Sequence, residues 1–330
     1  MRWPGQTRRS SQRLHLRALG DRLAFVLTDA PPADDRPPQL LRWGWLPPDK
    51  PVACGEALAL LDLADYQILK VDTPPVPPEE LKAAARWQIK ELVDVDAAAL
   101  TLDVMHVGGE LARPGNTATR QLFVVAARSQ AIAALSTRTA ALTPHLSTVD
   151  IWETALRNLL AAQARSDGLR ERACAAVLIG DTFSLLVICA QDELFYTRRF
   201  EPDAGLLARA RGSVAEVSTG EMPLGFEYQP GGSFDNIGTQ ESPLVVELQR
   251  SIDVWERSWP DLPLARLYVV GAELGADVAT LIQRELGQRT VAIEPLSHFA
   301  PGAPAPEGPD ALAACLPLLG AALRVERKEL

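Results

Sequence analysis

A repeated hairpin pattern is the feature that most constrains the fold of this 330-residue chain. Residues 14–27 and residues 175–188 are both apolar, strand-forming runs that are interrupted by Gly-Asp, at positions 20–21 and 180–181. Gly-Asp between two such runs is typical of a tight hairpin turn. A further apolar or alternating run follows each hairpin, so the pattern predicts a three-stranded meander at the start of each half. Two unrelated hairpins would give the same pattern, and the repeat alone leaves that alternative open.

Helical and strand patterns follow each meander. Apolar residues recur at helical spacing in residues 149–163 and 243–259, and the stretch 266–270 reads as a buried strand that ends at Gly271. A helix is predicted for residues 277–286, where Gly287 is a typical C-cap, and a strand for residues 290–293. Strands that alternate with helices predict an α/β protein with a mixed sheet. An Ala/Leu-rich helix is then predicted for residues 310–324, with Pro317 inside it. Its apolar spacing predicts a single apolar face formed by Leu312, Leu316, Leu319 and Leu323.

A separate module lies between the two halves, at residues 66–151. Its predicted order is β-α-β-β-α-β, with strands at 66–71, 100–107, 121–127 and 147–151 and helices at 78–93 and 130–142. The first helix places Leu81, Ala85, Ile89 and Leu92 on one apolar stripe, and Trp87 falls almost opposite that stripe. We therefore expect Trp87 to lie outside the layer formed by its own helix and sheet. The simpler expectation is that it packs against the rest of the first half, and the alternative is that it anchors a partner.

Composition excludes some classes of function. The net charge is −9, whereas a nucleic-acid partner requires clustered Lys and Arg. The basic cluster is in the tail 1–12 and just after it, at Arg2, Arg8, Arg9 and Arg13. We interpret this tail as disordered, with weak contact to an anionic membrane leaflet as the functional alternative.

The expected location is the cytoplasm. No apolar run approaches the length of a transmembrane helix, and no apolar segment of a secretion signal follows the N-terminal charges. The four cysteines have no zinc spacing, and Cys174 and Cys189 fall in apolar runs that predict small core residues.

Motifs for chemistry are few. The sequence has no phosphate-binding loop, no nucleophile elbow and no zinc-protease helix, and the four histidines are isolated: His15, His106, His145 and His298. We predict no metal site and no enzymatic activity from these patterns, although catalytic groups can converge from distant positions.

Four stretches carry a resemblance to a known family. They are VPPEEL at 76–81 with RWQIKEL at 86–92, VDI at 149–151 with ALRNL at 155–159, ELQRSID at 247–253, and LYVVG at 267–271. Through them the chain from about residue 14 to residue 324 resembles the PilM-like, actin-like family of type IV pilus assembly proteins, and within it the MshI proteins of MSHA-pilus biogenesis.

This resemblance implies an actin-like (ASKHA) fold of two related halves. The expected division is a first half at 13–170, including the inserted module 66–151, and a second half at 171–330. Nucleotide-using members of that superfamily place a phosphate hairpin in each half, with an Asp two residues before the turn glycine.

Here the turn glycines would be Gly20 and Gly180, and the Asp positions hold Ala18 and Leu178. The remaining candidates for a degenerate nucleotide site are Asp181, Thr182 and a half-matched adenosine-side turn at Gly271 and Gly275. ATP thus stays a candidate ligand, but the carboxylates that organise its magnesium are absent, and we expect no cofactor.

The leading hypothesis is a non-enzymatic scaffold at the cytoplasmic face of the inner membrane. The resemblance implies that it binds the cytoplasmic tail of a single-pass, PilN-like membrane protein within the pilus assembly complex, with Trp87 as a speculative anchor. The first alternative is an active actin-like ATPase of the same machinery. The second is the equivalent cytoplasmic domain of a type II secretion protein, which we disfavour because that relative carries its own transmembrane and periplasmic segments.

Overall fold

The structure, a computed structural model, describes residues 11–29, 36–47, 50–109, 121–218, 242–271, 274–308 and 310–325. The basic residues Arg2, Arg8 and Arg9, and with them nearly all of the tail predicted to be disordered, lie outside the described residues.

Most of the predicted strands and helices are present. In chain order the strands are β1 (Arg13–Leu19), β2 (Arg22–Thr28), β3 (Leu40–Leu46), β4 (Glu56–Leu60), β5 (Tyr66–Asp72), β6 (Leu100–His106), β7 (Gln121–Arg128), β8 (Leu146–Asp150), β9 (Ala173–Ile179), β10 (Ser184–Ala190), β11 (Glu193–Phe200), β12 (Leu264–Val270) and β13 (Thr290–Ala292). The α-helices are α1 (Leu81–Ile89), α2 (Ser129–Ala140), α3 (Trp152–Ser166), α4 (Ala204–Ser218), α5 (Pro243–Ser258), α6 (Gly275–Leu286) and α7 (Ala311–Ala322). Strand β4 and helix α4 were not predicted from the sequence.

Two five-stranded sheets share one topology, which confirms the predicted repeat. The first has the order β3-β2-β1-β4-β8 and the second the order β11-β10-β9-β12-β13. In the first sheet the meander strands are antiparallel, and β4 and β8 then add in parallel. In the second sheet β12 and β13 likewise add in parallel beside β9. Each meander is therefore followed by two parallel strands, as expected from a duplicated α/β unit.

The inserted module has the predicted order of elements but only three strands in its own sheet. That sheet has the order β5-β7-β6, and it packs on α1 through Leu81, Ala85 and Ile89. The last predicted strand, β8, joins the first sheet instead, where it pairs with β4. Helix α1 ends at Ile89, four residues earlier than predicted, so Leu92 does not extend the buried stripe and is 58% exposed.

Two compact units are defined by contacts within the chain. Unit 1 contains the described part of the first 171 residues together with Val187–Thr197 and the C-terminal segment from Glu294, whereas unit 2 contains Arg172–Leu186 and the described part of Arg198–Ile293. The C-terminal segment, which the sequence placed in the second half, thus lies in unit 1. The reason is helix α7, which packs against α3 and the meander strands β1, β2 and β3.

Helix α7 is buried on nearly all sides, whereas its sequence pattern predicted a single apolar face. Pro317 lies inside the helix and is itself buried. In the part of the chain that the structure describes, none of the helices combines the length and the apolarity needed to cross a lipid bilayer.

Candidate functional site

Gly20 forms the turn between β1 and β2. Its φ is +56°, a left-handed conformation that glycine adopts without strain, and nothing lies within 4 Å of the position of an added Cβ. Arg138 of α2 donates hydrogen bonds to the carbonyl oxygens of Gly20, at 2.7 Å, and Arg22, at 3.1 Å. The turn is therefore held by a cation that donates two hydrogen bonds to its backbone.

Gly180 and Gly271 lie at the carboxyl ends of two neighbouring strands of the second sheet. Strands β9 and β12 are parallel neighbours in which Leu178 is paired with Val270, so the residues that follow them emerge at the same carboxyl end. The Gly180 N–H donates to the carbonyl oxygen of Phe183 at 3.1 Å, and Asp181 and Thr182 are exposed in the turn. The structure thus brings these predicted candidates together at one edge.

The adenosine-side candidates, Gly271 and Gly275, lie at this same carboxyl end of the second sheet. Helix α6 begins at Gly275, and a Cβ on Gly271 would lie 3.5 Å from the Gly275 Cα, an ordinary contact. A helix N-terminus attracts anions, but the first turn of α6 already carries the carboxylate of Asp277. Ala272 lies outside the described residues.

The chemistry of these turns does not fit magnesium and nucleotide phosphate. Leu178 is buried and Ala18 is partly buried, and neither supplies an oxygen ligand. Among the described residues no group of three His, Cys, Asp or Glu side chains is arranged to hold a metal ion. His15 is fully buried, and burial lowers its pKa to about 3, so its ring carries no charge at neutral pH.

A groove of about 360 Å³ runs between α2 and the carboxyl ends of β1 and β4, within unit 1. Its apolar lining consists of Ala18, Leu60, Leu61, Ala131, Ala134 and Leu135. Polar and charged residues complete the lining, namely Asp62, Asp65, Arg128, Gln130 and Arg138. Ala18 thus contributes to an apolar surface at the position where a carboxylate would serve a metal.

A buried polar network holds the base of this groove in place. The Tyr66 hydroxyl at the start of β5 donates to a carboxyl oxygen of Glu153 at 2.5 Å and accepts the Trp152 N–H at 3.1 Å. The Trp152 indole N–H donates to the carbonyl oxygen of Leu61 at 3.1 Å. Because all three side chains are buried, these bonds join the beginning of the module to the beginning of α3 without competition from water.

One partly buried cation, Arg17, lies next to the groove. Burial lowers the pKa of Arg17 to about 10, while the negative charge of Asp62 acts in the opposite direction. The Arg17 guanidinium lies 4.3 Å from the centre of the Trp152 ring and donates to the carbonyl oxygen of Ala314. Asp62 therefore offsets a charge that the fold buries next to the groove.

A smaller cavity of about 120 Å³ adjoins the groove at the start of β5. Its lining includes Tyr66, Gln67, Val93 and Val95, and it shares Asp65 and Arg128 with the groove. The shared pair are 3.8 Å apart, and their side chains are 33% and 60% exposed. Since an exposed ion pair contributes only about 0–1 kcal/mol, separating this one costs little free energy.

Trp87 lies on the far side of α1 from the core and is 75% exposed. The prediction that it lies outside its own helix–sheet layer is confirmed. The simpler expectation that it packs against the rest of the first half is wrong, because so much of the ring is open to solvent. Lys90 lies 5.6 Å from the ring centre, and Trp87 lines neither cavity.

Sequence reasoning missed the residues that form the groove. Ala131 and Ala134 are indistinguishable in sequence from ordinary helix-forming alanines, and β4 was not predicted at all. The one usable signal is topological, since loops at the carboxyl ends of neighbouring parallel strands converge at one edge of a sheet.

Comparisons with known proteins were made for the whole chain. No protein-family model matches it, and no curated protein matches it. Among solved structures it is similar to a chain of a PilM–PilN type IV pilus biogenesis complex, with a TM-score of 0.61 and 18% identity over 96% of this chain and 97% of that one.

Two further structures resemble the chain less well. One is a Bacteroides thetaiotaomicron protein of unknown function with an actin-like ATPase fold, at a TM-score of 0.45 and 8% identity over 88% and 93% of the two chains. The other is the cytoplasmic domain of EpsL, an inner-membrane component of the Vibrio cholerae type II secretion system. Its TM-score is 0.43, with 11% identity over 97% of both chains. With its duplicated sheets and its full-length similarity to a chain of the PilM–PilN complex, the protein has the actin-like fold.

Proposed function

We propose that the protein is a non-enzymatic assembly protein of a type IV pilus of the MSHA type. In this proposal it lies at the cytoplasmic face of the inner membrane and binds the cytoplasmic tail of a single-pass, PilN-like membrane protein. The observation that carries the proposal is the groove between α2 and the first sheet, whose lining includes Ala18 in place of a metal-binding carboxylate.

The lining of the groove suits a short peptide. Its lining combines small and aliphatic side chains with two carboxylates, two guanidinium groups and one amide side chain. Peptide-binding grooves combine apolar pockets for anchor side chains with polar groups that orient the backbone. Its volume of about 360 Å³ is at the lower end of the usual range for ligand pockets.

The choice of partner rests on the similarity to a chain of the PilM–PilN complex, which covers nearly all of both chains. Trp87 supports a second contact outside the groove, because Trp is enriched among the residues that dominate binding energy at protein interfaces. We propose Trp87 as an anchor for a part of the partner beyond the peptide in the groove.

A pair of substitutions in α2 tests the groove. Ala134 is exposed and lines the groove, whereas Ala133 is exposed and does not. We expect Ala134→Glu to lower the affinity for synthetic tails of single-pass proteins from the same pilus gene cluster by about tenfold. The reason is that it places a larger, charged side chain in the apolar part of the lining. Calorimetric titration of purified protein with each tail measures the effect.

Ala133→Glu is the matched control, since it makes the same change on the same helix, and it should alter the affinity by less than about twofold. Equal losses in both variants would show that the peptide does not use the groove. Failure of every tail to bind the unaltered protein would remove the main support for the scaffold function.

A further inference from the structure

The module sheet lacks the strand that its chain order would supply. A β-α-β-β-α-β unit has four strands, but here β8 leaves the module and pairs with β4, with Asp150 opposite Leu60. The module sheet keeps the order β5-β7-β6, so β5 is an edge strand with β7 as its one strand neighbour in the described part of the chain.

The hydrogen-bond pattern shows which main-chain groups of β5 face outward. The Gln121 carbonyl oxygen of β7 accepts from the Val107 N–H, so the main chain of Gln121 faces β6 and not its β5 partner Asp72. The Asp72 carbonyl oxygen instead accepts from the Gln88 side chain at 3.1 Å. In an antiparallel strand the main-chain groups of successive residues point alternately towards and away from a neighbouring strand. The N–H and C=O groups of Ile68 and Lys70, like those of Asp72, therefore point away from β7.

The opposite edge of the same sheet is blocked by the protein itself. On β6 the carbonyl oxygen of Leu100 accepts from Arg86 at 3.0 Å, and the Val104 N–H donates to the Asp103 carboxylate at 2.9 Å. Just beyond β6, the Gly108 N–H donates to the carbonyl oxygen of Leu194 at 2.8 Å. This edge therefore offers little to another strand.

The edge of β5 is open by comparison. Among the described residues, the outward main-chain groups of Ile68 and Lys70 have no hydrogen-bond partner, and Ile68 is partly exposed and Lys70 exposed. An edge strand with unpaired N–H and C=O groups at regular spacing is a template for an extended peptide. The main chain of an extended peptide presents complementary groups at that spacing.

The open edge is continuous with the groove. Strand β5 starts at Tyr66, which lines the smaller cavity together with Asp65 and Arg128, and the last two also line the groove. We propose that the tail bound in the groove continues along β5 as a fourth strand of the module sheet. The inference rests on the proposed function and adds the mode of recognition, namely main-chain pairing with Ile68 and Lys70. Covering β5 from Tyr66 to Asp72 takes about seven residues at strand spacing.

Amide hydrogen exchange tests this pairing directly. The probes are overlapping 15-residue synthetic peptides that cover the cytoplasmic tails used above. In the free protein the amides of Ile68 and Lys70 should exchange quickly, and saturating peptide should slow their exchange by about a hundredfold or more. A second series of peptides carries one backbone N-methyl group each, moved by one residue from peptide to peptide. In this series, weakened binding should alternate with unchanged binding.

Substitutions at Lys70 supply the matched pair. Lys70→Pro removes an outward N–H and leaves the β5–β7 hydrogen bonds, which involve the alternate residues, so peptide affinity should fall about tenfold. Lys70→Ala keeps the N–H and should change the affinity by less than about twofold. If Lys70→Pro does not fold, the exchange rates and the N-methyl series on the unaltered protein decide.

The outcomes separate this inference from the proposed function. A tail whose binding is weakened by Ala134→Glu, but which leaves the Ile68 and Lys70 amides unprotected and shows no alternation, overturns strand addition and keeps the groove. Protection that appears without peptide as protein concentration rises assigns the edge to a second copy of this chain and also overturns the proposal. Absence of binding by any peptide overturns both.

Discussion

Asp203 joins the beginnings of two helices with a single side chain. One carboxylate oxygen accepts the Leu206 N–H of α4 at 2.8 Å, and the other accepts the Ser242 hydroxyl and the Leu244 N–H of α5. Burial tends to raise the pKa of this carboxyl group, but the three hydrogen bonds outweigh burial and hold the pKa below its usual value. The folded state therefore stabilises the charged form.

This residue gives a pH-dependent contribution to stability. A carboxyl group whose folded pKa is depressed contributes stability above its unfolded pKa of about 3.9, and loses that contribution as pH falls towards the folded pKa. We expect Asp203→Asn to lower the free energy of unfolding by about 2 kcal/mol at pH 7, and by much less at pH 3. Urea denaturation at both pH values measures this, with Asp261→Asn at an exposed position as control. A difference that is constant with pH would contradict the argument.

Trp87 is the second residue whose role can be tested by itself. Because the ring is 75% exposed, we expect Trp87→Ala to change the free energy of unfolding by less than about 0.5 kcal/mol. The same change at Trp152, which is 4% exposed and bonded to Leu61, should cost about 3–5 kcal/mol. If Trp87 is an anchor, its loss should also lower the affinity for the complete partner by about fivefold or more. Unchanged affinity would remove the anchor role.

At the scale of the elements, helix α7 shows how closely two helices can approach. A Cβ on Gly320 would lie 2.3 Å from the carbonyl oxygen of Ala155 and 2.9 Å from its carbonyl carbon. Contacts that short do not occur, so α7 reaches α3 only because residue 320 has no side chain. Gly212 of α4 is a helical glycine with nothing within 4 Å of the same position.

These two glycines make a matched pair of substitutions. Gly320→Ala should destabilise the protein by about 2–3 kcal/mol, because overpacking exceeds the gain in helix propensity. Gly212→Ala should leave stability unchanged or raise it by up to about 1 kcal/mol, since the same propensity gain meets open space. Thermal and urea denaturation of both variants would show the contrast, and equal effects would mean that the crossing of α7 and α3 is looser than the structure indicates.

At the scale of the whole molecule, the duplicated unit has a Gly-Asp turn after the first strand of each meander, and no carboxylate stands two residues before either turn glycine. Ala18 lines the groove between α2 and the first sheet, and Leu178 is buried in the second sheet. Phosphoryl transfer needs a metal anchor to neutralise the charge that develops on the phosphate. Neither half has a carboxylate at the expected position, and this is why we propose an assembly protein rather than an ATPase.

We therefore expect no ATP hydrolysis above that of a heat-inactivated sample. Phosphate release from ATP and Mg²⁺ by the purified protein measures this, both alone and with saturating tail peptide. Gly180→Leu is the specificity control, because it obstructs the second-sheet turn. Turnover that exceeds the inactivated sample and is abolished by Gly180→Leu would establish the ATPase alternative.

The sequence alone predicted the features that depend on neighbouring residues. It predicted the meander repeat, the helix end at Gly287 and the α1 stripe of Leu81, Ala85 and Ile89. Hydrophobic periodicity and turn-forming residues are local properties of the sequence. The end of α1 was not predicted correctly, because contacts with the rest of the module decide where the helix stops. Leu92 continued the apolar spacing although it is exposed.

The tertiary structure decided which strands pair and which surfaces remain open. Strand β8 has the same local pattern whether it completes the module or joins β4. Only its position in the fold leaves β5 at the edge of the module sheet in the part of the chain that the structure describes. Ala131 and Ala134 line a groove only because α2 crosses the ends of β1 and β4. Gly320 likewise matters through Ala155, which lies far away in the sequence. Strand pairing, helix crossing and groove formation depend on residues that are distant along the chain, so no local pattern specifies them.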